Sequence, residues 1–289
     1  MNPPRLDLGR FQADKVFNRT NGAIMSVLSL LSYLPPRQQT ERLDGLESFH
    51  FLDSVETGTQ VSVFETKDAL LVTPRGTPLE LSDDPQANLQ WNDLKNDLNL
   101  KPTPNYDGSG WVHSGFKNAA DGIWSQVKPL LSQALAAHKA VHFAGHSLGA
   151  AIATHLADRM HGELGVLPQS LLTVGGPSTG WAGQLHHLNR IGLEDRTVRL
   201  INNTDPVGMA VPFGSDVGHT VYFNHQGVAE LGDEGHCWDR LKGVGDALLS
   251  FNLNPLQDHL PKAYAELMTD PRNSDTLNAL GDKLNGSAR

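Results

Sequence analysis

Ser147 sits in Gly145-His146-Ser147-Leu148-Gly149, a GxSxG pattern. A serine hydroxyl is a poor nucleophile near neutral pH. It becomes a good one when a histidine takes its proton and a carboxylate orients that histidine. The bare pattern is weak, since a chain of this composition would show it by chance roughly 0.2 times. Its setting is stronger. Residues 140–144 (AVHFA) read as a short buried strand, and residues 150–160 (AAIATHLADRM) read as a helix of small residues. The pattern therefore occupies a strand–turn–helix, the setting that lifts a serine hydroxyl above a sheet. The helix after the serine aims free N–H groups at the reaction centre, which makes the Leu148 N–H a candidate oxyanion donor.

In such an arrangement the acid and then the histidine come after the serine along the chain. Asp205 is the best acid. It lies in Asn202-Asn203-Thr204-Asp205-Pro206, just past a strand pattern at residues 197–202 (TVRLIN). Parallel sheets carry their functional groups at such strand ends, although a turn aspartate before proline would look the same. Four histidines lie beyond it. His219 opens a strand pattern, His225 sits in a polar turn, His236 lies beside Cys237 and Trp238, and His259 lies in a loop at residues 255–261 (PLQDHLP). Spacing does not choose among them.

These groups need a scaffold. Residues 60–66 (QVSVFET) and 69–73 (ALLVT) read as two strands joined by a tight turn at Lys67-Asp68. Residues 171–174 and 220–223 are further strands, and residues 119–137, divided or kinked at Pro129, read as helix. Ile24, Val27, Leu28, Leu31 and Leu34 fall at helical spacing, and Pro35-Pro36 ends that run. A helix packed on the core is the plainer reading of it; a membrane-surface role lacks a basic face. Helices are also expected near residues 236–251 and 262–268. Strands alternating with helices imply an α/β protein, with a mostly parallel central sheet flanked by helices. The chain of 289 residues is read as one domain over residues 1–289, with an N-terminal helical segment over residues 1–40.

Composition excludes several classes. Lys and Arg total 23 against 32 Asp and Glu, a net charge of −9, which argues against a nucleic-acid partner. The lone Cys237 excludes an internal disulfide and a cysteine-rich zinc site, and the 13 histidines show no HExxH spacing. The charged residues Arg5, Asp7, Arg10, Asp14, Lys15 and Arg19 are unlike the apolar core of a signal peptide. Residues 23–34 are shorter than the roughly 20 residues a bilayer span needs. The expectation is a protein of the cytoplasm, or one exported by a signal-independent route.

Six segments together resemble the class 3 lipase family, the fungal triacylglycerol lipase type. They are Pro74-Arg75-Gly76-Thr77, Val112-His113-Ser114-Gly115-Phe116, the GHSLG pattern, Thr173-Val174-Gly175-Gly176-Pro177, Asn203-Thr204-Asp205-Pro206-Val207, and Asp258-His259-Leu260 with Tyr264. Each is modest; their order and spacing carry the resemblance, from about residue 60 to 265. The resemblance implies an α/β-hydrolase fold, with Ser147 as nucleophile, Asp205 as triad acid and His259 as base. It makes His219 a separate family histidine, and Thr77 the second oxyanion donor. It also implies a lid over residues 78–100, whose apolar face would be Leu89, Trp91, Leu94 and Leu98; a permanently packed surface helix is the alternative. Two departures stand out. Pro74 occupies a position usually aromatic, and Tyr264 lies two residues further from the histidine than usual, with Pro261 between.

The expected activity is that of a serine carboxylester hydrolase acting on lipid esters, with neither cofactor nor metal. Its partners would be a lipid or other ester substrate and, transiently, a lipid interface. Phospholipase A1 and an esterase for soluble esters fit the same residues. A hydrolase-fold binding protein without chemistry is the rival from another class.

Overall fold

The computed structural model describes residues 5–77, 101–205, 207, 211, 213–232 and 258–287. The expected lid face, Leu89, Trp91, Leu94 and Leu98, lies outside them, as do His236 and the helix expected near residues 236–251.

The chain opens with β1 (Leu6–Asp7), α1 (Arg19–Leu31), α2 (Pro36–Thr40), β2 (Leu43–Asp44), β3 (Ser48–Ser54), β4 (Thr59–Glu65) and β5 (Ala69–Pro74). It continues through β6 (Pro102–Pro104), β7 (Trp111–His113), α3 (Ser114–Ala136), β8 (Ala140–His146), α4 (Leu148–Leu164), β9 (Ser170–Val174) and α5 (Ala182–Arg190). It closes with β10 (Thr197–Asn202), β11 (His219–Phe223), β12 (Ala229–Leu231), α6 (Pro261–Thr269) and α7 (Ser274–Ser287).

Eight strands form one sheet in the order β12-β11-β10-β9-β8-β5-β4-β3. The pairs from β5 through β8, β9 and β10 to β11 are parallel, and the outer pairs are antiparallel. Successive residues of a strand face opposite sides. On β8, Val141 and Phe143 join a core built with Ile123 and Val127 of α3 and Ile152 and Leu156 of α4. Ala144 joins the opposite core with Met25 of α1, Tyr264 and Met268 of α6 and Leu277 of α7. Both faces are covered, which is why the central strands read as continuous apolar runs rather than alternating ones. This is the α/β-hydrolase architecture expected of the sequence.

Several local expectations change. The helical spacing over residues 24–34 ends earlier, at Leu31, and Pro36 begins the separate α2, where its missing N–H costs nothing. α1 is buried over most of its surface, Ser26 and Ser29 included, so it is a core helix. Pro129 does not divide α3: Val127, Leu131 and Ala134 bury the same face on either side of it. Among the described residues, no helix is long and apolar enough to cross a membrane.

Candidate functional site

Four chain segments leave the same edge of the sheet. Thr77 follows β5, Ser147 follows β8, Gly175 follows β9 and Asp205 follows β10. That common edge exists because those strands are parallel, and it gathers groups that are far apart in sequence.

Ser147 joins β8 directly to α4, with φ 57° and ψ −129°. This is a region that a residue with a side chain rarely occupies. Surrounding contacts hold it there. The Ser147 N–H donates to the Val174 carbonyl at 3.0 Å, and the Ser147 carbonyl accepts from the Ala150 N–H at 2.9 Å. Gly145 is required by close approach, because a Cβ there would collide with the backbone of Gly149. Leu148 begins α4, so its N–H belongs to the first, unbonded turn of that helix.

Asp205 and His259 are both buried, at 1% and 0% exposure. His259 Nδ1 lies 2.9 Å from Asp205 Oδ2 and 3.0 Å from Oδ1. A carboxylate only accepts, so Nδ1 carries the proton and, in the neutral ring, Nε2 is the basic nitrogen. Two further donors hold the carboxylate. The Val207 N–H reaches Oδ1 at 2.8 Å, and the Tyr264 hydroxyl reaches Oδ2 at 2.5 Å. Burial by itself raises the Asp205 pKa. The His259 charge and these hydrogen bonds outweigh it and hold the carboxyl below its usual value. Burial and the Asp205 charge push the Tyr264 hydroxyl well up, so it stays a donor.

Tyr264 is carried by α6, which Pro261 opens at its first turn. The extra residues after His259 do not separate Tyr264 from the acid; the helix brings it back. Its oxygen also accepts from the Asn202 N–H at 3.0 Å. Gly175, at φ 52°, makes room: a Cβ there would lie 2.6 Å from Asp205 Oδ2 and 3.0 Å from the Tyr264 oxygen. Asp258 ties the two loops together. Its Oδ2 accepts from Thr204 Oγ1 at 2.6 Å, Asn203 Nδ2 at 3.0 Å and the Thr204 N–H at 3.2 Å.

His219 is elsewhere. It starts β11, in register with Val198 near the start of β10, so it sits at the opposite end of the sheet from Asp205. His225 is in the turn after β11. Among the described residues, His259 alone of the four bonds Asp205. Thr77 and Leu148 line one cavity of about 260 Å³ with Gly76, Gly115, Ala119 and Ile152. Sequence reasoning singled out Ser147 and Asp205, and the family resemblance added His259 and Thr77. It did not assign roles to Asp258, Gly175 or the hydroxyl of Tyr264, whose signal is contact rather than pattern.

Residues 83–214 match the class 3 lipase family. No curated protein matches the sequence. Among solved structures, the chain is similar to the triacylglyceride lipase of Rhizomucor miehei at 22% identity, covering 69% of this chain and 77% of that one, with a TM-score of 0.57. It is similar to a triacylglycerol lipase described as having a serine protease triad at its catalytic centre, at 19% identity, covering 82% and 91%, with a TM-score of 0.62. It is also similar to the Lip2 lipase of Yarrowia lipolytica at 15% identity, covering 69% and 78%, with a TM-score of 0.54. At these identities the structures establish the common fold. That fold is the α/β-hydrolase fold of these lipases, and the class 3 lipase match spans the serine turn and the Asp205 loop.

Proposed function

We propose that Ser147, Asp205 and His259 form the triad of a hydrolase for lipid esters, triacylglycerol being the substrate class. The observation that carries the assignment is the buried Asp205–His259 pair beside the strained serine turn. His259 Nε2 takes the Ser147 proton as Oγ attacks the ester carbonyl. The Leu148 N–H, with the Thr77 N–H and hydroxyl, stabilises the oxyanion. Loss of one such donor costs about 3 kcal/mol of transition-state stabilisation. His259 then protonates the leaving alcohol, and water releases the acid from the acyl-enzyme by the same steps. Asp205 holds the tautomer and stays ionised.

An apolar acyl chain suits the apolar wall that Leu148, Ile152 and Ala119 give the cavity beside Thr77. In the sequence, Leu89, Trp91, Leu94 and Leu98 would form a lid face that opens at a lipid interface. The net charge of −9 disfavours strongly anionic membranes.

A fluorophosphonate should label the protein, and Ser147→Ala should abolish labelling with the fold intact. His259→Ala should lose several orders of magnitude in rate on a soluble ester, and His219→Ala far less. A chain-length series of nitrophenyl esters, run beside a phospholipid and a triglyceride, reads the substrate class. Preference for short soluble esters, with no rise in rate once an interface forms, would replace the lipase reading by an esterase.

A further inference from the structure

The triad chemistry makes no use of His146, the residue immediately before the serine. Its ring is buried at 1% exposure. Nε2 lies 2.6 Å from the main-chain carbonyl of His259, and Nδ1 lies 2.8 Å from the Tyr33 hydroxyl. A carbonyl only accepts, so Nε2 carries the proton. Nδ1 then presents a lone pair, and the Tyr33 O–H donates to it. One neutral tautomer satisfies both bonds. Burial, with the adjacent His259 ring, lowers the His146 pKa to about 3, so the ring stays neutral at working pH. Neutrality matters here. The two imidazoles lie 4.5 Å apart between centroids, and His259 must accept a proton during each turnover. A charged neighbour would oppose that step.

Tyr33 reaches in a second direction. Its oxygen packs against Gly76, the residue before Thr77. Gly76 has no room for a side chain, because a Cβ there would collide with the Tyr33 oxygen. A continuous path therefore runs from the strand end that carries Thr77, through Tyr33 and His146, to the main chain of His259. The Asp205 bond fixes one ring nitrogen but leaves the imidazole free to tilt about that contact. An attachment at its own carbonyl removes that freedom.

We propose that Tyr33 and His146 are positioning residues that hold the backbone of His259, and hence the aim of its ring, in fixed relation to the Gly76–Thr77 strand end. The proposal rests on the reading of His259 as general base. On a soluble short-chain ester, His146→Leu removes the donor and should lower kcat about 100-fold, the scale of a 1 Å misplacement, with KM little changed. His146→Gln keeps an N–H that can reach the carbonyl and should recover at least about tenfold of that loss. Tyr33→Phe deletes one oxygen, keeps the packing ring and should cost about tenfold in kcat. In the inactive Ser147→Ala protein, the low-field Nδ1 proton of His259 should broaden or shift with His146→Leu and return with His146→Gln. In a His259→Ala background, His146→Leu should cost no further rate, because it acts through the ring that is gone.

The relay is overturned if His146→Leu keeps kcat within twofold, if Gln rescues no better than Leu, or if the loss persists in the His259→Ala background. If His146→Leu does not fold, Tyr33→Phe decides: folded protein with unchanged kcat sinks the proposal. A fully active His259→Ala would instead remove the triad assignment itself. An inactive His259→Ala beside a fully active His146→Leu removes only the relay.

Discussion

Asp205 is the most heavily constrained side chain of the site. Its carboxylate faces the His259 ring, the Tyr264 hydroxyl and the Val207 N–H in a pocket without solvent. A buried carboxylate would ordinarily take up a proton. Here three partners favour the charged form, and Tyr264 serves twice, since it also satisfies the Asn202 N–H. Tyr264→Phe removes both bonds and leaves a buried N–H unmet, at a cost of about 1–3 kcal/mol. The Asp205 pKa should then rise. A group held below its unfolded value contributes stability above that value and loses it as pH falls through the folded one. The variant should therefore show a smaller stability gain between acid and neutral pH than the wild type, and a lower kcat. Urea titrations at several pH values read the first effect. Parallel curves for the two proteins would show that Tyr264 does not hold the carboxylate.

At the scale of elements, His187 and Gln184 both tie α5 to α4 and to the β6–β7 hairpin. His187 on α5 has Nε2 2.7 Å from Asp158 of α4 and Nδ1 2.9 Å from Asp107 in the hairpin. The Asp158 carboxylate only accepts, so Nε2 carries a proton, while Asp107 and the Arg190 guanidinium both lie beside Nδ1. The Asp158 hydrogen bond leads in raising the His187 pKa; burial and Arg190 oppose it without winning. A raised histidine contributes fully below its unfolded value, about 6.5, and the contribution is lost as pH rises through the folded one. His187→Gln should destabilise the protein by about 3 kcal/mol at pH 6, as breaking a buried pair does, and the gap should narrow as pH rises. A gap constant from pH 6 to 9 would mean that the fold does not raise the His187 pKa. The sequence makes such elements hard to see. Residues 182–190 (AGQLHHLNR) are polar, and what buries Gln184 and His187 is a pair of partners on other elements. α7 hides behind Gly281, which sits where a Cβ would press on the Phe17 carbonyl at 3.0 Å. β5, β8 and β9 were legible because burial on both faces writes itself into runs of apolar residues, and β4 because its residues alternate and are branched. The same logic divides the site. Ser147 and Asp205 come directly after strands and are legible locally. His259 meets Asp205 across 54 residues, and spacing alone leaves it level with three other histidines until the family resemblance points to it.

Across the whole molecule, buried histidines set how the protein meets acid. His142 is held between Ser170 Oγ and the Ala13 carbonyl, and burial lowers its pKa to about 4. His146 lies at about 3, and His155 at about 4, again chiefly through burial. All three are neutral in the folded protein at pH 5, whereas in the unfolded chain they protonate near 6.5. The unfolded state therefore binds more protons over that interval. Their contribution is complete above about 6.5 and is lost as pH falls toward their folded values, by a few kcal/mol in all. His187 runs the other way, but it is one group against three. The thermal midpoint should fall between pH 7 and pH 5, well before most carboxylates titrate. His155 allows the sharpest test. In the described structure neither of its ring nitrogens has a hydrogen-bond partner, and its edge packs on the Tyr106 ring at 6.0 Å. Asp158 and Asp121 favour its charged form, Lys117 and His113 oppose it, and burial decides. Leucine is apolar and similar in volume, so His155→Leu strands no partner and removes two buried unmet nitrogens. Stability at pH 7 should stay the same or rise by about 1 kcal/mol, while the fall toward pH 5 becomes shallower. A variant as acid-sensitive as the wild type would show that His155 takes up its proton as readily in the fold as in the unfolded chain, its neighbouring carboxylates offsetting its burial.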